Sequence, residues 1–408
     1  MHIVVLTGSY YPYMAPPVAC LSPYLLDLAN DNEVEVICPK YNDNYNEHFI
    51  KNNIRINFIS SFPNNVLSYV RTNNQEGGKR WLSKVLDVFY RGGRYIKYLI
   101  QKEAYETSLI SQYVNKVEQI EKINKIDVLI SISFPFYTHA AALRIKQKHP
   151  IIKWVTYTTD PLAYSHGNPL ESFKKREAIN IEQNVYDSCN YCIVTEELYP
   201  NLIDDYKIPD SKILKLPFLL SPIPIKDYSN ENKRIQVLYA GYVYYKIRNP
   251  QLMLDVFSGI DDVDLNLYIA GDRFCRRQLK NKFPDNIHIN GLVSRDSYFQ
   301  LLSQSDVLIN LSNSIPLQAP SKLLELVSTG KAIINFYFDK NTGYRIIDRY
   351  PLGLNVPTSC KVEEIRELVD SFVTENKNKR LNYCQIKELY PEHLLETHLP
   401  KVRDIVLG

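Results

Sequence analysis

No stretch of this chain reaches the length of a membrane-crossing apolar helix, and no basic segment precedes its short opening apolar run. Met1-His2-Ile3-Val4-Val5-Leu6-Thr7-Gly8 therefore reads as a first β-strand and not as a secretory leader. Cysteine is scarce and scattered, at positions 20, 38, 189, 192, 275, 360 and 384. Only Cys189 and Cys192 form a CxxC, and no second pair or nearby His completes a zinc set, so two small residues between a helix and a strand is the favoured reading. An odd, dispersed set of thiols argues against a disulfide scaffold and for a reducing, cytoplasmic setting. Net charge is small as well: +3 over 408 residues gives no reason to expect nucleic acid as a partner. Neither GxGxxG nor GxxxxGKS/T occurs, which disfavours dinucleotide and P-loop ATP chemistry. Repeats and low-complexity segments are absent too.

What remains is a folded chain, 45% apolar and 23% charged, with material for two cores of roughly 200 residues each. Short apolar runs alternate with helical patterns. Strands are expected at His2–Leu6, Val34–Cys38, Ile54–Ile59, Val128–Ile132, Ile152–Tyr157 and Tyr191–Val194, with helices at Val18–Ala29, Tyr137–Lys148 and Glu171–Asp187. The stretch LPFLLSPIPIKDY over Leu216–Tyr228 has three prolines and no periodicity, and reads as a linker. Alternation then restarts with strands Ile235–Ala240, Leu265–Ala270, Ile287–Ile289, Val307–Leu311 and Ala332–Phe336, and helices Pro250–Phe257, Arg273–Lys282 and Asp296–Ser303. The expected fold is α/β, with two doubly wound, Rossmann-like domains and a ligand cleft at the carboxyl ends of their strands. The first domain is expected over 1–220, the second over 229–388, and helices over 389–408 could pack back on the first.

Within the second domain, glycines follow strands at Gly241, Gly271 and Gly291, where main-chain N–H groups can approach a ligand or where the chain simply turns tightly. Lys246 and Arg248 sit in the loop after the first of these strands, and an Arg fork suits phosphate oxygens. APSKLLELVSTGKAII, residues 319–334, predicts a helix opened by Ser321 and Lys322, closed by Gly330 and followed by a buried strand. Glu325 lies four residues after Ser321 and three after Lys322, so all three share a face. A hydroxyl, a cation and an acceptor-only carboxylate suit a diphosphate and ribose hydroxyls; the plainer alternative is an i,i+3 ion pair between Lys322 and Glu325.

These features together resemble the donor-binding domain of GT-B glycosyltransferases, specifically glycosyltransferase family 4. The resemblance runs from Val237 to about Leu354 through the strand-Gly, the basic loop, IAGD, NIHINGLVSRDSYFQLLSQSDVLINLS and PSKLLELVSTGKAII. TGSYYPYMAPPVACLSPYLLDLA and SISFPFYTHAAALRIKQKHPIIKWVTYTTDPLA are similar to the family's first domain. It implies that Glu325 is the second Glu of an E-x7-E motif and holds the donor ribose. Ser321 and Lys322 would lie at the diphosphate with Arg248, and main chain near Val293 would read the base. His139 and Asp160 would line the transferred sugar or the acceptor. The chain departs from the pattern at Leu317, where the first Glu would stand, at Tyr242 in place of an Arg, and at Pro16-Pro17 in place of a glycine pair. The resemblance implies a retaining, metal-independent transfer with no cofactor beyond the nucleotide-sugar itself.

Residues 79–102, KRWLSKVLDVFYRGGRYIKYLIQK, hold seven Lys or Arg against one Asp. With its apolar faces, this basic amphipathic insertion, about 79–125, suits an anionic membrane surface and a lipid-linked acceptor, with Lys84, Arg91, Arg94 and Lys97 as the contacting cations. A pair of core-packed helices with solvated basic faces is the alternative. The expected function is transfer of a sugar from a nucleotide-diphosphate donor to a glycan or lipid-linked acceptor, in bacterial surface polysaccharide assembly at the inner face of the plasma membrane. A nucleotide-sugar epimerase or hydrolase, which needs no acceptor, and a catalytically silent membrane-associated scaffold are the rival readings.

Overall fold

The structure is a computed structural model, and the residues it describes are 1–11, 14–40, 48–60, 103–164, 171–225, 234–280, 282–315, 317 and 321–408. Most of the basic insertion, including Lys84, Arg91, Arg94 and Lys97, lies outside them. The chain divides into two units, Met1–Leu216 with His398–Gly408, and Pro217–Thr397.

The first unit is built on β1 (His2–Leu6), β2 (Glu33–Pro39), β3 (His48–Lys51), β4 (Ile54–Ile59), β5 (Val128–Ser133), β6 (Lys153–Thr158), β7 (Tyr191–Val194) and β8 (Ile213–Lys215). Their order across the sheet is β3-β4-β2-β1-β5-β6-β7-β8, parallel throughout except for β3 against β4. Every residue of β1 and β5 is buried, as strands covered on both faces must be. The unexpected strand β3 pairs back through Asn52-Asn53, both at positive φ (51° and 61°), a conformation Asn tolerates in two-residue hairpins. Pro16-Pro17 opens the helix Pro16–Leu28, where a missing N–H costs nothing. From the end of the chain, His398 Nδ1 meets the Tyr24 hydroxyl at 2.6 Å and Arg403 pairs with Asp27 at 2.8 Å.

The second unit carries β9 (Ile235–Val243), β10 (Val263–Gly271), β11 (Ile287–Asn290), β12 (Val307–Leu311), β13 (Ala332–Tyr337) and β14 (Gly353–Pro357). All pair in parallel in the order β11-β10-β9-β12-β13-β14. Val237, Leu265, Leu267, Val307, Ile333 and Ile334 are fully buried at its centre. Leu323, Leu324, Leu326 and Val327 of the helix Ser321–Val327, and Ile365, Val369 and Val373 of Val362–Glu375, pack on it with the three-and-four spacing of an apolar helical stripe. The strand order reverses between β9 and β12, and such a switch point leaves a crevice beyond the strands' carboxyl ends. Two expectations are corrected. β9 does not stop before Gly241 but runs on to Val243, with Gly241 opposite Ile269; the helix after Asp272 ends at Gln278 and not at Lys282.

Candidate functional site

A pocket of about 170 Å³ occupies this switch point, lined by Tyr239 and Ala240 from β9, Ile309–Asn313 from the end of β12, and Ser321, Lys322 and Arg248. Arg248 reaches it because the loop YYKIR closes on itself. Tyr244 N donates to Arg248 O at 3.0 Å, and Arg248 N donates back to Tyr244 O at 2.8 Å. The guanidinium is then anchored by Nε donating to Asn313 Oδ1 at 2.9 Å and Nη1 to Tyr242 O at 3.4 Å.

Lys322 stands in the first turn of the helix Ser321–Val327, half-buried, with Nζ donating to Ala240 O and lying 4.8 Å from the centre of the Tyr298 ring. Burial pulls its pKa down to about 8; Glu325 opposes that, while the positive charges of Arg248 and Arg295 add to it. A cation held so far below its ordinary range is stabilised by any anion that enters beside it. Gly241 lies beside it, and a Cβ at that position would stand in ordinary contact with Lys322 Nζ, at 3.5 Å. Another lysine of the same stretch has a different task. Lys331 is buried and donates to Ser303 O at 2.7 Å and to Ser305 O, satisfying carbonyls at the end of the helix Arg295–Gln304.

Glu325 does not pair with Lys322. It takes Arg295 Nη2 at 3.3 Å and lies beside the Tyr298 hydroxyl, outside the pocket lining to which Leu323 and Leu326 of the same helix belong. The pocket thus brings together Arg248, Ser321 and Lys322, with Gly241 adjacent, and leaves out Lys246, Gly271 and Val293. Lys246 is exposed on the YYKIR loop and Val293 is exposed after β11. Gly271 answers to packing: a Cβ there would meet Val243 Cγ2 at 2.9 Å and Cys275 Cβ at 3.0 Å.

In the first unit, His139, which the resemblance would set against the transferred sugar or the acceptor, is fully buried. Its Nδ1 meets Ser131 Oγ at 2.7 Å on β5 and its Nε2 meets Thr158 Oγ1 at 3.0 Å on β6. Burial drops its pKa to about 3, so the ring is neutral and ties two strands together. Asp160 follows β6, half-buried, accepting from Thr159 Oγ1 at 3.2 Å; burial raises its pKa and that bond offsets part of the rise. The loop that carries it is held by Glu182, wholly buried, which accepts from Leu162 N (2.5 Å), Ala163 N (3.0 Å) and the Tyr206 hydroxyl (2.5 Å).

The sequence reading passed over Arg295, Tyr298, Asn313 and a set of asparagines inside the strands of the second sheet, Asn310 and Asn335 buried and Asn355 half-buried. The last had a signal: VLINL, AIINFY and GLNVP each carry one Asn inside an otherwise apolar strand, where Asn is depleted.

No protein-family model matches this sequence, and no curated protein matches it in sequence. Solved structures do match in fold. Sucrose-phosphate synthase from Thermosynechococcus elongatus superposes with a TM-score of 0.68 at 10% identity, over 99% of this chain and 97% of that one. The catalytic domain of starch synthase IV from Arabidopsis thaliana, bound to ADP and acarbose, gives 0.62 at 10% identity over 100% and 98%. The apo form of the lipopolysaccharide outer core galactosyltransferase WaaB gives 0.59 at 14% identity over 100% and 99%. The chain therefore has the GT-B fold, two α/β units each built on its own sheet.

Proposed function

We propose that this chain is a glycosyltransferase that moves a sugar from a nucleotide-diphosphate donor to a hydroxyl of a glycan or lipid-linked acceptor. One observation carries the reading: Arg248 and Lys322 converge, beside Ser321, on a pocket at the switch point of the second sheet in a GT-B chain. Two fixed cations there favour a diphosphate and, above all, the negative charge that grows on it as the sugar departs. The Arg248 fork matches phosphate oxygens, and Lys322 supplies a point charge. The site needs no metal in this reading.

Glu325 accepts from the ribose hydroxyls, in exchange for a largely exposed Arg295 partner, and main chain near Val293 reads the base. Lys246, Gly241 and Gly271 complete the donor side as binding and shaping residues. Asp160 serves the transferred sugar or the acceptor, and His139 positions that region through Ser131 and Thr158 and takes no proton itself. Transfer proceeds with retention, the donor phosphate helping to deprotonate the acceptor. The solved starch synthase IV domain was bound to ADP, and WaaB is a lipopolysaccharide galactosyltransferase; both favour a nucleotide-sugar donor, of which UDP-sugars are the first to try, and a bacterial surface polysaccharide such as a capsule. The charge of the basic segment 79–102 supports a peripheral position at the inner face of the plasma membrane.

The deciding experiment is a thermal-stabilisation screen with UDP-, GDP-, ADP- and TDP-sugars. Stabilisation by one nucleotide series, followed by acceptor-dependent release of the nucleoside diphosphate, supports the reading; no stabilisation by any series refutes it. Neutralising Lys84, Arg91, Arg94 and Lys97 should reduce binding to vesicles rich in anionic lipid, and a native chain that ignores such vesicles sinks the membrane assignment.

A further inference from the structure

Strands β12, β13 and β14 each contribute one asparagine to the same face of the sheet, and the register sets them side by side. Asn310 pairs with Asn335, and Asn335 with Asn355. Their amides form one chain. Asn310 Nδ2 donates to Asn335 Oδ1 at 2.7 Å, Asn335 Nδ2 to Asn355 Oδ1 at 2.8 Å, and Asn355 Nδ2 to Tyr344 O at 3.1 Å. Asn335 is 0% exposed and Asn310 8%.

The far end of the chain fixes its direction. A main-chain carbonyl can only accept, so Asn355 must turn its NH2 toward Tyr344 and its oxygen toward Asn335, and each amide orients the next. Ser312 is set the same way, its hydroxyl donating to Asn335 Oδ1 at 3.0 Å. Asn310 Oδ1 is left over, Ser312 Oγ keeps one lone pair beyond the long bond it accepts from Asn310 Nδ2 at 3.5 Å, and both residues line the pocket that holds Arg248 and Lys322. Asn310 Oδ1 accepts no hydrogen bond from the described residues.

The pocket therefore has two chemistries. Its Arg248 and Lys322 side is cationic and suits an anion; its Asn310 and Ser312 side offers acceptors and repels one. A ligand that fits both carries phosphate and, next to it, a group with hydrogen to donate. We propose that Asn310 is a specificity-determining residue that accepts a hydrogen bond from a hydroxyl of the sugar carried on the diphosphate, its amide held in that orientation from Asn335, Asn355 and the Tyr344 carbonyl. This rests on the donor reading given above and adds to it which end of the donor meets the end of β12.

The test uses calorimetry on the full chain with UDP, GDP and ADP, each alone and as its glucose, galactose and N-acetylglucosamine conjugates. In the native protein the best conjugate should bind about 3- to 10-fold tighter than its free nucleoside diphosphate, the gain of one added hydrogen bond. Asn310→Ala should erase that increment without weakening the free diphosphate, which loses a repelling oxygen and no partner; Asn335 Oδ1 would keep its bond from Ser312. Asn355→Leu lies outside the pocket and releases the orientation from its far end, so it should shrink the same increment, and it carries the test if Asn310→Ala does not fold. If no diphosphate binds the native protein, the donor reading fails and takes this proposal with it. If the diphosphate binds but no conjugate gains over it, or the increment survives both substitutions, the proposal alone is overturned.

Discussion

Lys322 permits a quantitative test of the cationic pocket. Its ammonium is half-buried near two other cations, and its pKa of about 8 instead of 10.5 corresponds to about 3 kcal/mol held against the charged form. Below pH 8 the lysine is charged in both folded and unfolded chains, and the folded state carries that cost in full. Between pH 8 and 10.5 the folded chain gives up the proton first, so the cost is relieved as pH rises. Lys322→Met should therefore raise the stability of the unliganded protein, most clearly below pH 8 and by no more than about 3 kcal/mol, since the bond to Ala240 and the Tyr298 ring are lost with it. Binding should move the other way. An anionic ligand requires the ammonium, so native affinity should hold up to about pH 8 and fall about 30-fold by pH 9.5, while the variant, weaker throughout, shows no such fall. The measurement is calorimetric titration with the nucleoside diphosphate chosen by the stabilisation screen, expressed as the ratio of native to Lys322→Met affinity at each pH, which cancels titration of the ligand. A ratio of one at all pH values would refute the placement of the diphosphate at Lys322, and a constant ratio above one would refute the depressed pKa.

Other substitutions separate folding from binding. Glu325→Ala removes an ion pair whose partner, Arg295, is largely exposed, so denaturation should shift by less than about 1 kcal/mol while donor affinity drops at least tenfold; equal affinity removes Glu325 from the site. His139→Ala leaves Ser131 and Thr158 without their imidazole partner and opens a cavity, so urea unfolding should show a loss of about 2–4 kcal/mol; a loss below 1 kcal/mol contradicts the strand-tying role. Burial raises the Glu182 pKa to about 7, so its stabilisation is complete below the unfolded value and lost as pH rises through 7. The melting temperature of the native chain should fall between pH 5 and 8 relative to that of Glu182→Gln, and parallel curves would show that the carboxyl does not titrate there.

The sheets were legible because buried parallel strands write themselves as short, mostly apolar runs. His2–Leu6, Ile54–Ile59, Tyr191–Val194 and Val307–Leu311 match to the residue. The strands that escaped notice are those without such a run: β3 is a short, mostly exposed HFIK at the sheet edge, β8 is three residues long, and β14 contains Gly353 and Asn355. Arg248, Ser321 and Lys322 could be named because residue type and position after a strand announce them. The asparagine chain could not, because it exists only through the register of strands 25 and 20 residues apart. His139 was placed correctly in its helix, but spacing says nothing of what surrounds a side chain, and a ring with partners on two strands differs from one at the surface only in three dimensions.

The return of His398–Gly408 to the first unit makes the second an insertion within the first. Residues 217 and 397 are its entry and exit, and near them Phe218 O accepts from the His393 ring at 2.7 Å while Leu220 N donates to His393 O at 2.9 Å. An excised second unit over 217–397 would begin and end beside one pair of hydrogen bonds, so it could be expressed alone or grafted between two positions of another host. The first unit has no such freedom: cut at 216, it loses the partners of Tyr24 and Asp27, and residues 398–408 must be spliced back on if it is to stand alone.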